Sequence, residues 1–152
     1  MEDILKHSHS ALRWLALILL IITIVKSFAG WLGSKPFTLG DKKLALFTLI
    51  SIHLQLVLGL VLYLQLVTNS AFDFAASMKD PLQRFFSVEH IVGMLAAITL
   101  VTIGYSTSKR AATDKLKFKK LAIYFTIALL LIVAMIPWPF MQKFAFPISH
   151  WY

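Results

Sequence analysis

Cysteine is absent from the 152 residues, which excludes internal disulfides, thioether-linked haem and thiolate-held clusters. Any metal the chain carries is left to histidine, methionine or carboxylate. Charge is also scarce: charged residues are 14% of the chain, and only seven are acids. What fills the space is apolar, 59% of all positions, gathered in four blocks at about 12–32, 44–67, 85–105 and 121–138. Each block is too long for an ordinary soluble core and close to the ~20 residues that cross about 30 Å of hydrocarbon as helix.

The fold class this implies is all-α: an integral membrane four-helix bundle, a single domain over 1–152 with helices near 4–32, 43–68, 81–108 and 117–137. The first block runs past the usual apolar length of a secretory leader into Trp31 and shows no small-residue cleavage site, so it is expected to stay as a helix. Asp3 is placed to cap the first helix. Asp80-Pro81 gives the third an N-cap with proline in the first turn. Pro137-Trp138-Pro139 ends the fourth, and the aromatic tail from Phe140, with His150, reads as an interfacial anchor.

A net charge of +8 raises the question of nucleic acid, but the cations are apportioned by loop instead of forming an isolated tail. Lys26, Lys35, Lys42, Lys43, Lys109, Arg110, Lys115, Lys117, Lys119 and Lys120 flank the first and third connections. Lys6, Arg13, Lys79, Arg84 and Lys143 fall on the other side. That bias places the two basic connections in the cytoplasm and both termini outside, in a membrane of the bacterial inner type. Lipid is the expected surroundings, with other membrane subunits or further copies of the chain as partners, and no nucleic acid. Lys26, four residues inside Gly30, is placed to snorkel to the headgroups.

Lys42-Lys43-Leu44-Ala45-Leu46-Phe47 lines up with Lys119-Lys120-Leu121-Ala122-Ile123-Tyr124 at an offset of 77. At an offset of 81, His9 falls on His90, Ala16 on Ala97 and Thr23 on Gly104. This suggests two tandem hairpins related by a pseudo-twofold axis along the membrane normal, which brings His9 and His90 to one depth at the outer end. His53 has no counterpart, because Leu130 occupies the matching place.

Ionisable side chains within a span persist mainly where they face a protein interior or a cofactor. Around His90, one helical face carries Gly93, Met94, Ala97, Val101 and Gly104; around His9 it carries Arg13, Ala16, Leu20 and Thr23. A flat macrocycle needs such room below an imidazole, although small residues equally serve close helix packing. Two histidines on neighbouring helices can hold haem iron without cysteine, and Arg13, Arg84, Lys6 and Lys79 are placed to pair with its propionates. The expected ligands are therefore His9 and His90. A His53–His90 pair is the alternative, at a depth mismatch of roughly 10 Å. His53 could instead bond Tyr63, Gln55 or a carbonyl, line a quinone pocket, or ligate a second haem. Glu89 could accept from a histidine, relay protons, or sit as an interfacial carboxylate.

His9-Ser10-Ala11-Leu12-Arg13-Trp14, His53-Leu54-Gln55-Leu56-Val57-Leu58-Gly59 and Glu89-His90-Ile91-Val92-Gly93-Met94 resemble the helix motifs of small four-helix cytochrome b-type membrane proteins, and also one four-helix half of haem A synthase. The resemblance covers helices one to three and implies haem b near the outer face. Helix four lacks the histidine of a synthase half, and Glu89 directly precedes His90 where the synthase pattern spaces acid and ligand further apart. The expected function is electron transfer by a haem b-binding membrane cytochrome, quinol-linked or a subunit of a respiratory assembly. A cofactor-free accessory subunit is the alternative, and a proton path through His53 and Glu89 is the third.

Overall fold

The computed structural model describes residues 2–138; Pro139, the tail from Phe140, Lys143 and His150 lie outside the described residues. Four long helices form the bundle: α1 (Glu2–Leu32), α2 (Leu39–Val67), α3 (Pro81–Lys109) and α4 (Asp114–Met135). All four are long and apolar enough to cross a membrane, the shortest being 22 residues, so the chain is a multi-pass membrane protein. Their outward faces agree: Val25 is 61% exposed, Leu54 52% and Leu130 66%, surfaces that lipid covers.

The helix boundaries follow from capping. Asp3 lies inside the first turn of α1 and does not cap it. α2 begins four residues earlier than the sequence reading because Thr38 is its N-cap. Thr38 Oγ1 accepts from the Asp41 N–H at 3.3 Å, and the Asp41 carboxylate accepts from the Thr38 N–H at 2.9 Å. Asp41 is thus the third residue of a capping box and not a leader to the helix. Asp80 caps α3 as expected, accepting from the Leu82 and Gln83 N–H groups at 2.9 and 2.8 Å. Thr113 caps α4, which starts at Asp114, three residues before the expected start. The α2–α3 connection carries a turn of helix, Phe74–Ser77, capped by Asp73.

Within α3, residues Phe85–Glu89 wind as a π-helical segment, closed by the His90 N–H bonding to the Phe85 carbonyl. A five-residue spacing is brought nearly into line there. Arg84 Nε accordingly donates to Glu89 Oε1 at 2.8 Å, across five residues.

α3 and α4 pack most closely, α1 lies against both α2 and α4, and of the four adjacent pairs α2–α3 makes the thinnest contact. Small residues permit the close approaches: Ala45, Ala97, Ala122 and Ala128 are essentially fully buried. A Cβ on Gly30 would lie 2.5 Å from the Phe118 ring, so only glycine lets α1 meet α4 there. At the basic end, Lys26 reaches Asp41 at 3.0 Å and ties α1 to α2, a partner that snorkelling alone does not call for.

The two hairpins repeat one contact. Thr23 meets Thr48 through a 2.8 Å hydrogen bond in the first, and their counterparts in the second, Gly104 and Phe125, also touch: a Cβ on Gly104 would stand 3.3 Å from the Phe125 ring. Two middle-sized residues in one hairpin correspond to one small and one large in the other.

Candidate functional site

At the end away from the basic connections, a cavity of about 870 Å³ is lined by residues of all four long helices. That lies within the ~300–1,000 Å³ of typical ligand and cofactor sites. Its depth is apolar, with Leu17, Leu20, Ile52 and Ile98; its mouth is polar, with Lys6, His7 and Asn69. His9, Arg13, Ala16 and Leu20 line it from successive turns of α1.

His90 enters from α3 directly after the π-helical segment, beside the rings of Phe85 and Phe86 at 5.7 and 6.4 Å. Its Nδ1 lies 2.8 Å from the Met135 carbonyl of α4. A carbonyl can only accept, so Nδ1 carries the proton and the lone pair of the neutral ring sits on Nε2. Ligating histidines are commonly oriented in this way, by giving the other N–H to a backbone carbonyl.

His9 is held differently. The Nδ1–Cε1 edge of its ring faces Gly59 of α2, where an added Cβ would stand 3.1 Å from Cε1. Its Nδ1 is buried without a hydrogen-bond partner. Gln55, one turn before Gly59, donates from Nε2 to the His9 backbone carbonyl at 2.8 Å and leaves its own Oε1 buried and unpartnered. His9 and His90 are close enough to act on each other electrostatically, and Arg13 acts on both.

The other expected residues fall elsewhere. His53 does not line the cavity. Its Nδ1 donates to the Leu49 carbonyl at 2.8 Å and its Nε2 faces the Thr102 hydroxyl at 3.3 Å, so both ring nitrogens are engaged and α2 is joined to α3 below the cavity. Arg84 pairs with Glu89 and does not line the cavity, nor does Lys79. Gly93 makes room for a side chain and not for a macrocycle: a Cβ there would lie 2.6 Å from Met135 Sδ. Ala97 and Val101 are fully buried and Gly104 meets Tyr124 and Phe125, so the strip below His90 serves the α3–α4 contact. Of that face only Met94 lines the cavity beside His90.

The cavity also uses residues to which the sequence reading assigned no place in it. Gln55, Gly59 and Tyr63 recur at helical spacing along α2 and could have been found as one face. Met135, acting through its carbonyl, leaves no trace in side-chain chemistry.

Among the described residues no group of three or more His, Asp or Glu is placed to hold a metal ion. Two imidazoles suffice only for a metal whose remaining ligands come with it, as the four nitrogens of a porphyrin do. The buried, unpartnered His9 Nδ1 and Gln55 Oε1, the tautomer imposed on His90 and the cavity volume all fit such a group.

No family model matches this chain, and no curated protein or solved structure matches it either.

Proposed function

We infer that the chain is a haem b-binding membrane cytochrome, with His9 and His90 as the axial pair and electron transfer as its function, fed from a quinol. The observation that carries this reading is the convergence of two imidazoles on one cavity of about 870 Å³, one of them with Nδ1 committed to the Met135 carbonyl. Haem, when bound, supplies a one-electron redox centre. The chain's own residues do the rest. Met135 orients His90, and Gly59 gives His9 the space to enter. Leu17, Leu20, Ile52 and Ile98 keep water from the depth of the site. Lys6 and Arg13 stand on the cavity wall with charge suited to propionates. The distribution of cations supports an orientation with the cavity at the outer surface and the basic connections in the cytoplasm.

Absorption spectroscopy tests the reading. Protein purified from haem-replete cells is expected to carry about one haem per chain with a bis-histidine spectrum, which His9→Ala and His90→Ala each abolish or convert. A colourless protein that takes up no added haem overturns it and returns the choice to the accessory subunit and the proton path, which proton flux in liposomes separates. Retention of the full spectrum in both variants overturns the ligand pair.

A further inference from the structure

We propose that Gln55 is the residue that sets the tautomer of His9, doing through its side-chain oxygen what the Met135 carbonyl does for His90. The proposal rests on His9 being a ligand through Nε2. Cε1 and Nδ1 are the ring atoms nearest Gly59, so Nε2 stands farther from that glycine than either. An imidazole that coordinates through Nε2 carries its proton on Nδ1, and a buried N–H without an acceptor is destabilising.

The acceptor we assign is Gln55 Oε1, which is buried without a partner on a side chain already bonded to His9. Gln55 holds its amide against the backbone of His9 itself, its Nε2 donating to the His9 carbonyl at 2.8 Å. Because that carbonyl can only accept, the orientation of the amide is fixed, and Oε1 is the atom left over. Two buried polar atoms thus lie unsatisfied at one α1–α2 contact: a nitrogen able to donate and an oxygen able only to accept. Each is the partner the other lacks. In the proposal the imidazole turns to bring Nδ1 onto that oxygen, and the absent side chain at Gly59 leaves the ring space beside α2.

Gln55 is a positioning residue in this scheme, since it acts on iron only through His9. The two hairpins then solve one problem in two ways. α4 offers His90 a carbonyl, while α2 offers His9 an amide oxygen.

Nitrogen-15 NMR of the imidazoles tests this in the haem-free protein, with His9 assigned by its disappearance in His9→Gln. The proposal expects the wild-type His9 to be protonated at Nδ1 with bare Nε2. Gln55→Glu keeps an acceptor oxygen and should keep that pattern. Gln55→Met has no donor and only a weakly accepting thioether, and should move the proton to Nε2. Both variants lose the bond to the His9 carbonyl, so a difference between them isolates the acceptor. In haem-loaded protein, Gln55→Met is expected to bind haem about 10- to 100-fold more weakly than Gln55→Glu. Wild-type His9 protonated at Nε2, or identical tautomers in Gln55→Glu and Gln55→Met, overturns the proposal. The NMR measurement needs no haem, so a colourless protein refutes the cytochrome reading separately, and a coloured one with unresponsive His9 refutes only the role of Gln55.

Discussion

Thr23 and Thr48 share a 2.8 Å hydrogen bond at the place in the first hairpin where Gly104 and Phe125 meet in the second. The equivalence has an energetic consequence, because the two contacts are sensitive to opposite changes. Gly104→Leu is expected to cost roughly 1–3 kcal/mol by overpacking. The clash is with Tyr124 Cβ, 2.6 Å from the added atom, which cannot swing aside as a chain end can. Thr23→Val should cost only about 0.6 kcal/mol, the average for a hydrogen bond between membrane helices, since Thr48 keeps the Leu44 carbonyl at 2.9 Å. Thermal unfolding in detergent ranks the two, and a larger loss for Thr23→Val would contradict the packing described.

His53→Leu separates the imidazole that joins helices from those that face the cavity. The substitution removes the contact to Thr102 and leaves that hydroxyl its bond to the Ile98 carbonyl at 2.8 Å. A stability loss of no more than about 1 kcal/mol is expected, with haem content unchanged. His90→Leu should instead lose the cofactor. Reduced-minus-oxidised spectra of the two variants make the comparison, and loss of haem in His53→Leu would return His53 to the ligand set.

Two glycines distinguish cavity from packing. Gly59→Leu pushes a side chain toward the His9 ring and into the cavity, so haem binding should fall at least tenfold while helical circular dichroism stays near wild type. Gly93→Leu drives into Met135 and should lower the unfolding temperature. Haem titration and thermal melts on both variants check the assignment. The reverse pattern would place the macrocycle beside Gly93.

How far the sequence revealed this arrangement depended on the range of the cause. The four helices follow from local apolar runs, and the shared depth of His9 and His90 follows from counting along them. Thr38 as the cap of α2 was readable too, from Thr38 and Asp41 at capping-box spacing, but the pair Lys42-Lys43 draws the boundary later. The π-helical segment was not readable, since nothing in Phe85-Phe86-Ser87-Val88-Glu89 marks an extra residue per turn. With it went the pairing of Arg84 to Glu89. Gly93 and His53 were ambiguous for another reason. Room beside a glycine and a nitrogen on an imidazole look alike from one helix, and only the residues opposite, Met135 and Thr102, decide their use.

The absence of cysteine makes the topology directly testable, because any cysteine introduced is the only thiol present. The end carrying the connections between α1 and α2 and between α3 and α4 holds ten of the fifteen cations, Lys26, Lys35, Lys42, Lys43, Lys109, Arg110, Lys115, Lys117, Lys119 and Lys120, but only the acids Asp41 and Asp114. Both acids are already engaged, by Lys26 at 3.0 Å and Lys117 at 2.8 Å. Among the described residues the other end carries Glu2, Asp3, Asp73, Asp80 and Glu89 against Lys6, Arg13, Lys79 and Arg84. Among the described residues that other end carries no net positive charge, whereas ten cations and two acids leave +8 at the end with the basic connections. Moving that end across a membrane against an inside-negative potential costs ~2.3 kcal/mol per charge per 100 mV, which favours retention in the cytoplasm. Ser34→Cys should therefore react with a membrane-impermeant maleimide only after cells are permeabilised, and Asn69→Cys should react in intact spheroplasts. Replacing Lys42, Lys43, Lys119 and Lys120 by glutamine removes four of these cations and should produce a mixed labelling pattern. Labelling of Ser34→Cys from outside in the otherwise unchanged chain would invert the orientation and put the His9–His90 cavity on the cytoplasmic side.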